Sequence, residues 1–213
     1  MMMPVASLSA FALVALGMVL TPGPNMIYLL TRSITQGRRA GVISLFGVVL
    51  AFLVYMLCAA LGVTALLITV PLAYRGLQWA GALYLLWMAW NAVKPGARSV
   101  LQPRGDLAID GPRRLFAMGF LTNMLNPKAA VLYLSLLPQF IDPARGDVLA
   151  QGVTLGLVQI AISFSVNLAI IMTAGSVSAW FSGRPSWLKA QRWLMAGVLT
   201  ALALRLALER KPA

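Results

Sequence analysis

Long stretches without a charged side chain constrain this 213-residue chain more than any other feature of its sequence. They cover residues 1–31, 40–74, 76–93, 115–127, 129–141 and 148–183. Hydrophobic residues make up 60% of the chain and charged residues only 10%, whereas soluble domains average about 45–50% and about 25%. An apolar helix of about 20 residues crosses the hydrocarbon core of a bilayer. The stretches therefore exclude a soluble enzyme and predict helices that lie in lipid.

We predict an all-α membrane protein with six transmembrane helices. The predicted spans cover approximately residues 5–31, 41–67, 72–93, 115–138, 149–173 and 187–208. Strands are a poor alternative, since no segment shows the ten-residue alternation of apolar and polar side chains that membrane strands need. Proline and glycine break the polar loop at 94–114. This linker divides the chain into two three-helix halves, residues 1–93 and 115–213.

The basic residues predict the orientation of the chain. Eleven of them flank the loops after spans one, three and five, and only four lie on the other side. Cytoplasmic loops carry the excess of Lys and Arg, so the linker is expected in the cytoplasm and both termini in the periplasm. The net charge of +12 then indicates contact with anionic lipids. A nucleic-acid partner is not expected, because no basic run with interleaved aromatic residues lies outside an apolar segment.

The scarcity of chemically reactive side chains limits the possible functions further. The chain has no histidine, five acidic residues and one cysteine, Cys58. We expect no metal site, no cofactor and no catalytic residues. A membrane redox protein that uses paired cysteines is excluded for a monomer.

The two halves resemble each other at an offset of 105 residues. Residues 11–30 and 116–135 share seven identities, among them Pro22 with Pro127 and Tyr28 with Tyr133. The register continues into the next span, where Gly47 falls on Gly152. Three spans are an odd number, so duplicated halves insert with opposite orientations. Inverted repeats of this kind are a common plan of secondary transporters, whose binding site lies where the halves meet.

Proline breaks occur at corresponding places in spans one and four. The first reads Thr21-Pro-Gly-Pro-Asn25, and the second reads Asn126-Pro-Lys128. Proline lacks an N–H and clashes with the preceding turn, so each break frees backbone polar groups that must be satisfied inside the membrane. A half-helix N-terminus attracts a carboxylate. The breaks therefore predict a binding site, although kinks between packed helices are an alternative explanation.

Lys128 is the only charge well inside a predicted span. An intramembrane charge indicates a functional site by default, and Lys128 can pair with a substrate carboxylate or carry a proton. Alternatively it snorkels or caps freed carbonyls. Gln159 and Asn167 share one face of span five, where they line a pore or bond neighbouring helices. The candidate transport residues are Thr21, Pro22, Gly23, Pro24, Asn25, Asn123, Asn126, Pro127, Lys128, Gln159 and Asn167.

These motifs resemble the LysE/RhtB family of bacterial amino-acid exporters. The similarity lies in Leu20-Thr-Pro-Gly-Pro-Asn25 and in Asn123-Met-Leu-Asn-Pro-Lys-Ala-Ala130, followed by Leu136-Leu-Pro-Gln-Phe140. It covers essentially the whole chain. The resemblance implies a six-span inner-membrane efflux protein that exports amino acids with the help of the proton gradient. The Asn-Pro-Lys form is similar to the homoserine/threonine branch.

The resemblance also implies a substrate class. Family members that export basic amino acids carry intramembrane aspartates, but residues 41–51 and 129–135 contain no acid here. We expect a neutral, zwitterionic substrate, either a small amino acid such as homoserine, threonine or leucine or a related metabolite, whose carboxylate meets Lys128 and the N-terminus of the half-helix. Proton-coupled carriers usually hold a titratable acid or histidine in the membrane, whereas the only charge well inside a predicted span here is Lys128. The sequence therefore leaves open how transport is coupled to the proton gradient. A structural or assembly subunit without transport is the alternative function. A homodimer is plausible, although packing within one chain explains the small-residue stripes equally well.

Overall fold

The computed structural model of the chain describes residues 3–21, 23–69, 71–95, 109–182 and 185–208. Within these ranges all regular secondary structure is helical. The α-helices are α1 (Val5–Leu20), α2 (Pro24–Gln36), α3 (Arg38–Thr69), α4 (Pro71–Val93), α5 (Pro112–Met124), α6 (Pro127–Val131), α7 (Val148–Ser182) and α8 (Pro185–Leu208). A π-helical turn (Leu132–Leu136) and a 3₁₀ turn (Leu137–Phe140) continue α6, and a second 3₁₀ turn covers Pro143–Arg145.

Proline begins five of these helices, namely α2, α4, α5, α6 and α8. The first residue of a helix needs no N–H partner, and the fixed φ of proline suits that position. The prolines that break the apolar segments therefore start new helices. The first predicted span is divided in this way, with α1 and α2 inclined by 55° to each other. The fourth is divided into α5, α6 and the two turns that follow it.

Each of the six predicted spans coincides with one helix or one broken helix. Length and apolar character identify two described helices that can cross a membrane, Arg38–Gly62 in α3 and Val148–Ala174 in α7. The bent pair of α1 and α2 counts as a third if it forms one span. The all-helical prediction is confirmed for the described residues, and the count of six spans stays a prediction. Large apolar side chains such as Leu13, Leu61 and Leu83 are exposed, as a lipid-facing surface requires.

The helices pack reciprocally. At the offset of 105 residues, α5 corresponds to α1, α7 to α3, and the start of α8 to the end of α4. The long helix α3 packs on α5, and its counterpart α7 packs on α1. Helices α4 and α8 pack on each other. The long helix of each half therefore lies against the first helix of the other half.

Glycine permits the closest of these approaches, between α3 and α5. A Cβ atom on Gly47 would overlap the backbone of Phe116, and one on Gly119 would overlap the backbone of Ser44. In α7, a Cβ on Gly156 would overlap the side chain of Met56. The small residues Gly47 in span two, Gly119 in span four and Gly156 in span five therefore serve helix packing. The close contact holds the first half of the second broken span against α3.

Candidate functional site

The two proline breaks meet in the structure. The Lys128 ammonium, at the second break, donates a hydrogen bond of 2.5 Å to the carbonyl oxygen of Thr21 at the first break. Thr21 ends α1 in an extended conformation, and its N–H and its hydroxyl both bond to the carbonyl of Gly17. Because the backbone of Thr21 is extended, its own carbonyl points away from the hydrogen-bonding pattern of α1. A Cβ on Gly23 would lie 3.3 Å from the Lys128 Nζ, so the glycine leaves room for the lysine.

Asn126 organises the second break as a helix N-cap. Its side-chain Oδ1 accepts a hydrogen bond of 3.0 Å from the Lys128 backbone N–H, and Pro127 occupies the first position of α6. Side-chain acceptors before a proline-initiated helix are a stable way to start it. Asn126 is 2% exposed. The cap therefore fixes the position of the Lys128 backbone, and the long lysine side chain extends from there to Thr21.

An asparagine pair joins α2 to α5 beside the breaks. Asn25 Nδ2 donates to Asn123 Oδ1 over 2.5 Å, and Asn123 Nδ2 donates to the carbonyl oxygen of Val48 in α3 over 2.9 Å. Both asparagines are buried. Asn25 is the last residue of the first break and Asn123 precedes the second. The pair thus connects the two broken spans directly and also attaches them to α3.

Helix α7 contributes three more buried polar side chains. Tyr133, in the π-helical turn, donates to Gln159 Oε1 over 2.6 Å. Asn167 donates to the carbonyl oxygen of Ser163 over 2.8 Å and to its hydroxyl over 3.2 Å. Since Asn167 bonds one turn back on its own helix, it does not act as a bridge to a neighbouring helix through this amide.

A small cavity lies between the two breaks and α7. Its polar lining consists of the side chains of Asn25, Asn126, Lys128, Gln159, Ser163 and Asn167, and the rest of its lining consists of Gly23, Met18, Val19, Met26, Phe52, Ala129 and Leu132. The cavity has a volume of about 30 Å³, which holds a water molecule but no amino acid. In this conformation the walls must move apart before a substrate as large as an amino acid can enter the cavity.

The candidate residues of the sequence take different places around this cavity. Six of them line it: Gly23, Asn25, Asn126, Lys128, Gln159 and Asn167. Thr21 and Asn123 lie behind the wall and bond to lining residues. Pro24 and Pro127 are exposed and start α2 and α6. Pro22 lies outside the described residues.

The charge distribution of the cavity is asymmetric. Among the described residues that line it, Lys128 carries the only charge and none is acidic. The other polar lining groups are neutral amides and a hydroxyl, and the remaining wall is aliphatic, thioether or aromatic. Such a surface suits a ligand with one anionic group and an uncharged side chain.

Two parts of this arrangement were not predicted. The sequence indicates Tyr133 only as the repeat partner of Tyr28, yet its hydroxyl bonds the Gln159 side chain. Asp110, in the polar linker, is buried and pairs with Arg32 at the end of α2 over 2.6 Å. Arg114 also bonds Asp110 over 3.1 Å. Loop composition gives no signal that a carboxylate will fold back against a distant helix end.

Comparison with known proteins gives a consistent family. A model of the LysE type translocator family matches residues 16–210. A homoserine/homoserine lactone efflux protein of Salmonella typhimurium is 31% identical over 200 residues, which are 91% of this chain and 95% of the relative. A leucine efflux protein of Klebsiella pneumoniae is 28% identical over 91% of each chain. An uncharacterized membrane protein of Pseudomonas aeruginosa is 30% identical over 85% of this chain and 87% of the relative. No solved structure matches.

Proposed function

The chain belongs to the LysE family of translocators, and we propose that it exports small neutral amino acids across the bacterial inner membrane. Relatives that align over nine-tenths of the chain are named as efflux proteins for homoserine, homoserine lactone or leucine. The alternative of a structural or assembly subunit finds no support among them. The family and the arrangement of the two breaks thus agree on transport.

The cavity between the breaks is the observation that carries this proposal. It brings six residues from three separate parts of the chain into one polar site within an apolar helical protein. Lys128 there supplies a positive charge for a carboxylate, and charge-assisted hydrogen bonds of this kind are about twice as strong as neutral ones. Since no described lining residue is acidic, a cationic side chain finds no opposite charge in the cavity. Neutral amino acids are therefore the favoured class over lysine or arginine.

The substrates in the relatives' names share an α-amino group. Homoserine and leucine also carry a carboxylate, whereas a lactone has its carboxyl closed in an ester. We infer that Lys128 distinguishes amino acids from lactones or esters, and that the amino end is recognised elsewhere in the cavity. The apolar side chains of Met26, Phe52 and Leu132 suit an aliphatic substituent such as that of leucine.

For the architecture, we propose six spans in two inverted halves, with both termini in the periplasm. The reciprocal packing of α3 on α5 and of α7 on α1 supports this, because a two-fold relation exchanges these pairs. Transport then takes place as the halves move about the paired breaks, and the cavity opens to one side at a time. The proton gradient is the proposed driving force. A flux assay with an imposed pH gradient tests it, since export independent of the gradient would exclude proton antiport.

Reconstituted protein tests the proposed function directly. Proteoliposomes loaded with labelled leucine or homoserine are expected to release it faster with the wild-type protein than without protein. Lys128→Gln should raise the half-saturating concentration of the amino acid about tenfold to a hundredfold, since a hydrogen bond to a charged group contributes about 1.5–3 kcal/mol. Lys189→Gln, at an exposed lysine of α8, is the matched control and should behave as wild type.

A second substrate separates the role of Lys128 from general damage. Leucine methyl ester keeps the amino group and the side chain but has no carboxylate. Its half-saturating concentration should change little in Lys128→Gln. Equal losses for leucine and for the ester would contradict a carboxylate contact and would favour Lys128 as a cap of the Thr21 carbonyl only.

A further inference from the structure

One residue in the wall of the cavity carries a buried acceptor that has no partner among the described residues. Asn25 is 9% exposed, and its Oδ1 atom makes no hydrogen bond within the described part of the chain. Asn25 lines the cavity. A buried polar atom without a partner is unfavourable, because it has lost its hydrogen bonds to water and gained none from the protein. An acceptor of this kind at a cavity wall indicates a ligand that brings a donor.

The direction of this amide is fixed by a backbone carbonyl. The Val48 oxygen can only accept, so the atom of Asn123 that faces it is the Nδ2 donor. The Oδ1 atom of Asn123 then faces Asn25, and Asn25 must present its own Nδ2 to it. The atom of Asn25 that has no partner within the described part of the chain is consequently the oxygen. Reversing either amide would place two acceptors against each other.

Gln159 differs from Asn25, because no backbone carbonyl fixes the direction of its amide. Its Nε2 is also buried and lacks a partner among the described residues. Its other end bonds the Tyr133 hydroxyl, which can donate or accept. The Gln159 amide can therefore turn over and present either atom, whereas the Asn25 amide can present only an acceptor.

We propose that Asn25 Oδ1 accepts a hydrogen bond from the α-ammonium group of the exported substrate, and that Asn123 is a positioning residue that sets this acceptor through Val48. The inference rests on the proposed function. Lys128 and Asn25 line the same cavity, so the positive and the accepting groups receive opposite ends of a zwitterion. Asn25 then selects amino acids over the carboxylic acids that lack the amino group. Because the Asn25 side chain is neutral, the protein recognises the ammonium group without burying a carboxylate of its own.

Competition with a deaminated analogue tests the role of Asn25. Unlabelled leucine and 4-methylpentanoate, which is leucine without its amino group, compete with labelled leucine in counterflow by the full-length protein. We expect leucine to compete at a concentration at least tenfold lower in the wild type, since a hydrogen bond from a charged donor is lost in the analogue. Asn25→Ala should weaken leucine about tenfold and leave 4-methylpentanoate unchanged. Asn25→Ser, whose hydroxyl is still an acceptor, should lie between.

The diagnostic quantity is the competing concentration of 4-methylpentanoate divided by that of leucine. Misfolded protein lowers the flux, but it does not change this ratio for the protein that has folded. Parallel weakening of both compounds, or an unchanged ratio in Asn25→Ala, would overturn the inference and leave the proposed function intact. Absence of leucine counterflow in the wild type would overturn the proposed function and this inference with it.

Two Asn123 variants test the positioning role. Asn123→Leu removes the acceptor that holds Asn25, and the ratio should fall toward that of Asn25→Ala because the Asn25 amide can then rotate. Asn123→Asp in its protonated form donates to Val48 and accepts from Asn25, so the preference for leucine should persist. A wild-type ratio in Asn123→Leu, or a lower ratio in Asn123→Asp than in Asn123→Leu, would overturn this role.

Discussion

Lys128 combines two properties that the sequence could only weigh against each other. Its ammonium caps the carbonyl of Thr21, which is the structural role expected beside a broken helix. It also lines the cavity together with neutral polar groups. An ammonium has three donors, so a bond to Thr21 and a bond to a carboxylate are compatible. At the scale of the residue, the cap holds the charge in place and the cavity gives it access to a ligand.

Gly23 offers a test of this placement. The residue is buried and extended, so a larger side chain meets no backbone strain. A Cβ would lie 3.3 Å from the lysine Nζ and 3.6 Å from its Cδ and Cε. We expect Gly23→Ala to shift Lys128 slightly and to raise the half-saturating concentration of leucine severalfold. Gly23→Val should do so more strongly. Gly76→Val, where a Cβ meets nothing within 4 Å, should transport as wild type.

At the scale of the element, proline spacing decides where the helices stop and start. The predicted breaks are present because Pro24 and Pro127 each occupy a first helical position. The lengths of the pieces were less predictable. The segment after Pro127 forms only five α-helical residues before a π-helical turn and a 3₁₀ turn. Pro138 in that 3₁₀ turn lacks an N–H, so a regular helix cannot continue through it.

Close packing of α3 on α5 gives a stability prediction. Gly47→Ala and Gly119→Ala each place a methyl group into the backbone of the opposite helix, and overpacking costs about 1–3 kcal/mol or more. Both variants should melt below the wild type in detergent. Gly62→Ala lies on α3 with nothing within 4 Å and gains about 1 kcal/mol in helix propensity. It should melt at or above the wild-type temperature. Equal melting of all three variants would contradict the close approach.

The amino-acid sequence predicted the breaks, the helices and the lysine, but not the contacts between them. Prolines and uncharged runs act locally, so they are visible in a single segment. The bond from Asn25 to Asn123 joins residues 98 positions apart, and nothing in either segment specifies the partner. Asp110 belongs to a segment whose composition predicts an exposed polar linker, whereas the residue is only 8% exposed. Long-range pairing of polar groups depends on how the helices stack, which the repeat alone did not define.

At the scale of the molecule, the Arg32–Asp110 ion pair joins the end of α2 to the residues before α5. Its side chains are 10% and 4% exposed, and breaking a buried pair from one side costs about 3–5 kcal/mol. Asp110→Asn should therefore lower the free energy of unfolding by several kcal/mol. Arg114 is 73% exposed, and Arg114→Gln should change it by less than about 1 kcal/mol. Indistinguishable unfolding of the two variants would show that the buried pair adds no stability.

The proposed orientation makes a separate whole-molecule prediction. A reporter that works only in the periplasm should be active when it is fused to either terminus. A reporter that works only in the cytoplasm should be active when it is inserted in the loop 94–114. Opposite positions for the two termini would exclude an even number of spans. Both termini in the cytoplasm would reverse the orientation that the basic residues predict.

The central claim is that a neutral amino acid binds in the cavity between the two breaks. The most direct measurement is alkylation of a thiol introduced by Ser163→Cys, at a buried lining residue, in protein that also carries Cys58→Ala. We expect leucine to slow the alkylation and lysine to leave it unchanged, with no protection by leucine once Lys128→Gln is added. Alkylation at the same rate with and without saturating leucine would place the substrate elsewhere and contradict the account.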